Sequence, residues 1–134
     1  MSPIGPYSKD KIYSSLAEWG VTGDYQHPIF LYLVQGFEPG SFFTALFAND
    51  AIDMLCRSHP ANTITSLSSI AKWIRHSMPD EAYGSYVAVD NWIKLSDTNR
   101  VAILVRDGLI FDGKTETMMA LKGVDIKYNS SVAY

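Results

Sequence analysis

The sequence predicts an α+β fold: a mainly helical domain of about five helices over residues 8–95, followed by a small C-terminal β-hairpin or three-stranded sheet. Three observations predict it. Apolar residues recur at three-and-four spacing as far as Ile93. Pro28, Gly36, Pro39-Gly40, Pro79 and Gly84 cut that pattern into short helices. After Ser96 the texture changes to a continuous run rich in β-branched residues, Val101 to Val105, followed by Asp107-Gly108 and a second apolar run, Leu109 to Phe111.

Pro3 and Pro6 keep the first residues extended. Ile12, Leu16 and Trp19 then lie at helical spacing, with Ser8 as a candidate cap. Gly20 and Gly23 break this helix. His27-Pro28 starts a second, since proline is tolerated at a first helical position. Phe30, Leu31, Leu33 and Val34 make it apolar nearly all round, so it is expected inside, and Gly36 ends it. Pro39-Gly40-Ser41 turns into a third helix, with Ser41 as its cap. Phe42, Phe43, Leu46 and Phe47 surround its first turns. Asn49, Asp50, Asp53 and Arg57 form a polar stripe further on, while Ala51, Met54 and Leu55 continue the buried side. The fourth helix opens at Asn62 or Thr63 and is expected to bury Ile64, Leu67, Ala71, Ile74 and Met78 before Pro79 stops it. Gly84-Ser85 repeats the turn-plus-cap device, and Tyr86, Val89, Trp92 and Ile93 give a fifth helix one apolar face. In the tail the two apolar runs read as strands, with a helix over Asn99 to Leu109 as the competing reading. Thr115 to Lys122 can form a short helix with Gly123 as C-cap, and Val124 to Tyr128 a third strand. Phe43, Leu46, Phe47, Leu67, Ile70, Ile74, Val89 and Trp92 are the expected core.

The 134 residues suit one domain, 1–134, with N-terminal helices over 1–35, a helical block over 36–95 and a β-containing extension over 96–134. At 47% apolar and 13% aromatic the chain has material for a core without a staple. The net charge of −3 gives no general reason to bind nucleic acid. A single cysteine, Cys56, excludes an internal disulfide framework and fits a reducing compartment. The first residues lack the apolar run of a signal peptide, and Ile29 to Val34 is too short to span a bilayer, so a soluble intracellular protein without membrane contact is expected.

The central block is Gly36-Phe-x-Pro39-Gly40-x-Phe42-Phe43-x-Ala45-Leu46-x-x-Asn49-Asp50, followed by Pro79 and then Gly84-Ser85-x-x-x-Val89-x-x-Trp92. It resembles a family of small uncharacterised bacteriophage and prophage proteins sharing a Gly-x-x-Pro-Gly-x-Phe-Leu-x-Ala-Val-Leu-x-Asn-Asp block. The match covers residues 36 to 95. Where that family usually has Gly-Arg-Ala-Asp, this chain has Cys56-Arg57-Ser58-His59. The family's Tyr-Asn becomes residues around Trp73-Ile74-Arg75, and its Trp-Gly-Ser becomes Tyr83-Gly84-Ser85. Residues 97–134 lie outside the pattern. The resemblance implies a viral origin, with the host-cell cytoplasm as the expected location and the virion as the alternative, and nothing about chemistry.

Candidate chemistry is sparse. Cys56 and His59 are spaced C-x2-H, with Asp53 and His76 further off, but a structural zinc site wants four ligands. Cys56 beside a histidine is not accompanied by an oxyanion hole or a third orienting group. Asp50 and Asp53 read as a solvated helix face, with Asp53 and Arg57 as an i,i+4 pair. Lys72, Arg75 and His76, with Trp73 beside them, could contact nucleic-acid phosphate and bases. No catalytic, cofactor or metal site is assigned. Asn49 and Asp50 read as scaffolding against Gly84 and Ser85, with Trp92 as a further member of the structural motif. The 8 tyrosines and 3 tryptophans exceed what a small core absorbs easily, and such residues anchor interfaces. Tyr7, Tyr13, Tyr128 and Tyr134 are therefore the expected partner-binding residues. The expected function is a phage-encoded, non-enzymatic protein that binds and redirects or inhibits a host or host-defence factor. The alternatives are a minor virion or assembly component and a small nucleotide- or nucleic-acid-binding module. Nucleic acid is the weaker partner class, and homo-oligomers are compatible with all three.

Overall fold

The computed structural model describes residues 3–59 and 62–126. Among them the chain is helical throughout: α1 (Pro6–Glu18), α2 (Gln26–Phe30), α3 (Ser41–Phe47), α4 (Ala51–Cys56), α5 (Ile64–Ser77), α6 (Tyr86–Lys94), α7 (Asp97–Arg106) and α8 (Gly113–Lys122). A wider helical turn, Leu31–Gln35, continues α2 to Gly36, whose φ of 67° ends it. Short 3-10 turns at Gly23–Tyr25 and Asp80–Ala82 precede α2 and α6.

The α+β expectation is therefore corrected. No strand occurs among the described residues. Residues 97–106, which include the supposed first strand, form α7. Ser96 caps it by accepting the Asn99 N–H at 3.1 Å, Asp97 sits in its first turn and Arg106 in its last. Asp107-Gly108 is not a hairpin turn but a helix stop. Gly108 has φ 76° and donates its N–H to the Val105 carbonyl, while Leu109 donates to Leu104. That is the Schellman pairing, completed by burial of both Leu104 and Leu109. The β-branched run tolerates a helix because burial of one side outweighs a weak strand propensity. Val124 to Ile126 is also not a strand, and the remainder of that expected element, with Tyr128, lies outside the described residues.

The single long third helix is also corrected: it is two helices. Asn49 takes φ 62°, its N–H bonds Leu46, and the Asp50 N–H bonds Ala45, another Schellman stop. Asp50 then caps α4 by accepting the Asp53 N–H at 3.1 Å. Asn is the residue after glycine best suited to the left-handed region, and Asp is a preferred N-cap, so the dipeptide stops one helix and starts the next. Two proposed caps shift. Gly40 stands at the N-cap of α3 with Ser41 already helical, and α1 begins at Pro6. Ser8 instead is buried and bonds the Phe111 backbone in both directions, accepting its N–H at 3.1 Å. Thr63 caps α5 through a reciprocal pairing with Ser66, and Ser85 caps α6 by accepting the Ala88 N–H at 3.0 Å.

The core draws on α1, α2, α3, α5, α6 and α7 and on Leu109 and Ile110. Its centre is α2 and the turn after it, where Ile29, Phe30, Tyr32, Leu33 and Val34 are fully buried. Tyr32 stacks on Phe47 at 4.7 Å between centroids, and its hydroxyl donates to the Ala82 carbonyl at 2.6 Å. Burial pushes the Tyr32 phenol upward, so it stays a neutral donor. The Trp92 indole donates to the Tyr32 carbonyl at 3.1 Å. Phe47, Ile70, Ile74, Val89 and Trp92 are buried as expected, whereas Phe43, Leu46 and Leu67 are only half-buried. The inner stripe of α5 is rotated from the expected one: Ile70, Trp73 and Ile74 go inside, while Ile64 and Ala71 are exposed. Trp73 donates its indole N–H to Ser15 at 3.0 Å, which takes it off the basic face that was to stack on bases.

Candidate functional site

The stop-start turn at Asn49-Asp50 meets the turn that opens α6. The Gly84 N–H donates to the Phe47 carbonyl at 2.8 Å, and Gly84 itself has φ 115°. The Tyr86 hydroxyl donates to the second Asp50 carboxylate oxygen at 2.7 Å. The expected scaffolding pair is thus brought together, but by different atoms. The Phe47 carbonyl and the Asp50 carboxylate make the contacts, while Asn49 contributes its backbone conformation and is exposed. Trp92 lies in the core beneath, hydrogen-bonded to Tyr32.

Two clefts flank this seam. One, of about 240 Å³, is lined by Leu46, Asn49, Ala71, Ile74, Arg75 and Tyr83 with Gly84. The other, of about 340 Å³, is lined by Glu38, Pro39, Ser41, Thr44, Asp53, Arg57 and Tyr86. Arg57 donates to Asp53 at 3.1 Å, the expected i,i+4 pair. Both partners are well exposed, so the pair contributes little to stability.

The Tyr86–Asp50 bond sets the electrostatics of the seam. The Tyr86 hydroxyl, and after it the Asp53 N–H, hold the Asp50 carboxyl below its ordinary value. The same bond pushes Tyr86 up to about 12. Asp50's stabilising contribution is whole above the ordinary value of 3.8 and is lost as pH falls through its lower folded-state value. Tyr86's is whole below its ordinary 10.0 and is lost as pH rises towards about 12. Tyr86→Phe should therefore move the Asp50 titration, followed by the NMR shift of its carboxyl carbon, upward towards the ordinary value. An unchanged titration would show that Tyr86 does not hold the carboxylate in solution.

Both elements of the seam also carry exposed apolar side chains. Ile52 is 79% exposed and Leu55 59% on α4, and Tyr86 is 48% and Val87 68% exposed on α6. None of the α4 side chains is buried. This corrects the expected buried side of the third helix: the break at Asn49 resets the helical phase, so Ala51 and Leu55 face water and Met54 is half-buried.

The tyrosines expected to bind a partner fare differently. Tyr13 is corrected to a core residue: it is buried, packs on Phe30 at 5.5 Å and shares a 3.0 Å hydrogen bond with His27 Nδ1. Tyr7 is half-buried and donates to the Val124 carbonyl at 2.6 Å. Tyr128 and Tyr134 lie outside the described residues. Cys56 is exposed at the end of α4. His76 packs on Trp19 at 4.5 Å, away from Cys56 and His59 in sequence. Among the described residues no three His, Cys, Asp or Glu side chains converge as a metal site would need, and no helix is long and apolar enough to cross a membrane.

Ile52, Leu55 and Val87 are the residues that the sequence reading missed. A left-handed Asn followed by a capping Asp would have shown the phase break. Comparison with protein-family models, curated proteins and solved structures returned no match.

Proposed function

We propose that this chain is a phage-encoded binding protein that docks a protein of the infected cell on the α4–α6 surface, in the host cytoplasm, and does not turn over a substrate. The observation that carries this reading is the exposure of Ile52, Leu55, Tyr86 and Val87 on two elements tied together by the Tyr86–Asp50 hydrogen bond. Exposed apolar side chains grouped on rigid, capped helices with a polar surround are what protein interfaces use, and an aromatic with a polar tip is a common anchor. The two carboxylates and Arg57 beside Tyr86 give that surface a charged rim. The phage origin rests on the resemblance of the Gly36-to-Asp50 and Gly84-to-Trp92 blocks alone.

The test is a tagged full-length copy expressed in the host, alongside mass spectrometry of purified particles. The expected result is a host protein co-purifying in near-stoichiometric amount and lost in an Ile52→Asp variant, with the chain absent from particles. Recovery as a constant component of the particle would replace this reading with the virion one. Capture indifferent to Ile52→Asp would remove the surface from the argument.

A further inference from the structure

The cleft on the α5 side of the seam, about 240 Å³ in volume, joins an apolar floor to a polar rim. Its floor is the buried Ile74 and the half-buried Leu46, with Ala71 at the edge. Its rim is Asn49, Arg75 and Tyr83, which end in a carboxamide, a guanidinium and a phenol. Among the described residues none of these three polar ends has a hydrogen-bond or ion-pair partner in the protein, and no carboxylate lines the cleft. The walls are fixed by the fold itself. Asn49 closes α3 with its φ of 62°, and the Gly84 N–H holds the opposite turn to the Phe47 carbonyl at 2.8 Å. A preformed recess with an apolar floor and a few convergent polar groups is the usual form of a small-ligand site.

We propose that this cleft binds a monocarboxylate carrying one compact apolar group, with Arg75 holding the carboxylate. Charge, polarity and volume each select that chemistry. A guanidinium is a planar fork that matches a carboxylate, and one such cation with no carboxylate in the lining balances one negative charge. A nucleotide's phosphates would bring more charge, and the cleft holds no second Lys or Arg to meet it. The floor favours an apolar body over a sugar or a polar chain. The volume lies below the roughly 300–1,000 Å³ of drug-sized sites, so it admits one ring or one branched side chain. Asn49 and Tyr83 supply further donors to the carboxylate. A free acid and the last residue of a polypeptide present the same group. Arg75 also lines a neighbouring polar cleft of about 430 Å³ with Asp80, which is the competitor for its charge. The proposal does not rest on the α4–α6 docking surface, since Ile52, Leu55 and Val87 take no part in this lining.

NMR titration of the backbone amides of the full chain tests it, with hydrocinnamate, its neutral amide and N-acetylphenylalanine as probes. The expected result is saturable shifts at Asn49, Ala71, Arg75 and Gly84, with a dissociation constant on the order of 1 mM for hydrocinnamate. The neutral amide should bind at least about fivefold more weakly. Arg75→Met should weaken hydrocinnamate about tenfold and erase its advantage over the amide, while Arg75→Lys should keep part of that advantage. Ala71→Phe, which fills the cleft, should abolish binding. The thermal midpoint should be unchanged in both Arg75 variants, because the residue is exposed. Tighter binding of N-acetylphenylalanine than of hydrocinnamate would assign the cleft to a polypeptide's last residue, and the reverse to a free acid; either upholds the carboxylate. Absence of saturable shifts overturns the proposal, and a moved Asp80 carboxyl titration in Arg75→Met would then show the guanidinium engaged there. Equal affinity for the acid and its amide, or undiminished acid binding in Arg75→Met, also overturns it.

Discussion

Replacing Phe47 by alanine should lower the unfolding free energy by about 3–5 kcal/mol, the range for a fully buried aromatic. Phe47 is 0% exposed and stacks on Tyr32, whose hydroxyl and carbonyl hold Ala82 and Trp92. The cavity would open beneath the seam, because the Phe47 carbonyl is also the acceptor for the Gly84 N–H. Phe47→Leu should recover part of the loss. Denaturant unfolding of the three proteins measures this. A midpoint for Phe47→Ala equal to that of an exposed control, such as Thr65→Ala, would contradict its place in the core.

The second large effect is expected at Arg100, a residue whose charge gives no hint of burial. Its side chain is 4% exposed. The guanidinium donates to the carbonyls of Val34 at 3.3 Å and Ile93 at 3.3 Å, to that of Leu95, and to the Asp97 carboxylate. It thus satisfies the orphan carbonyls at the ends of two helical segments, the turn after α2 and α6. Gly36 leaves it room: a Cβ there would stand 2.5 Å from Nη1, at a φ of +67°. Arg100→Ala should cost roughly 2–4 kcal/mol, since each buried carbonyl left without a donor costs about 1–3. Arg100→Met keeps the stem and removes the donors, so it should show most of the same loss. A methionine variant as stable as the unaltered protein would mean that packing, and not carbonyl capping, is the residue's role.

Where a helix boundary rests on one residue's local chemistry, the sequence was readable. Ser85, Gly36 and Gly123 stand at the cap and stops expected of them, and Thr63 is one of the two starts expected for α5, because a hydroxyl acceptor or a missing Cβ acts within four residues; Ser8 and Ser41, read by the same rule, do not cap. Asp107-Gly108 was misread because the same dipeptide serves a hairpin and a Schellman stop. The choice depends on whether Leu109 folds back onto Leu104, a tertiary fact. The Val101-to-Val105 run was misread for a related reason: a short continuous apolar run has no period of its own. In α5 the stripe through Ile64 and Leu67 was as regular as the true one, and only packing against Ser15 decides that Trp73 turns inward.

The candidate site was half legible. The turns at Asn49-Asp50 and Gly84-Ser85 do meet, but through the Phe47 carbonyl and the Tyr86 hydroxyl and not through an Asn49 side-chain bond, and the Asp53–Arg57 contact follows from spacing. The apolar surface beside them was hidden by treating residues 41–57 as one helix, so that Leu55 was carried inside by a phase that ends at Asn49. Tyr13 was taken for a surface aromatic, although its neighbours Ile12 and Leu16 already marked that part of α1 as inward.

The central claim is that Ile52 and Val87 serve a partner and not the fold. The most direct measurement pairs thermal unfolding with partner capture for one variant, Ile52→Asp/Val87→Asp. The account predicts a midpoint within about 2 °C of the unaltered protein, because exposed substitutions rarely exceed about 0.5 kcal/mol, together with loss of the captured protein. A midpoint lowered as far as that of Phe47→Ala, or capture undiminished in a stable variant, would contradict it.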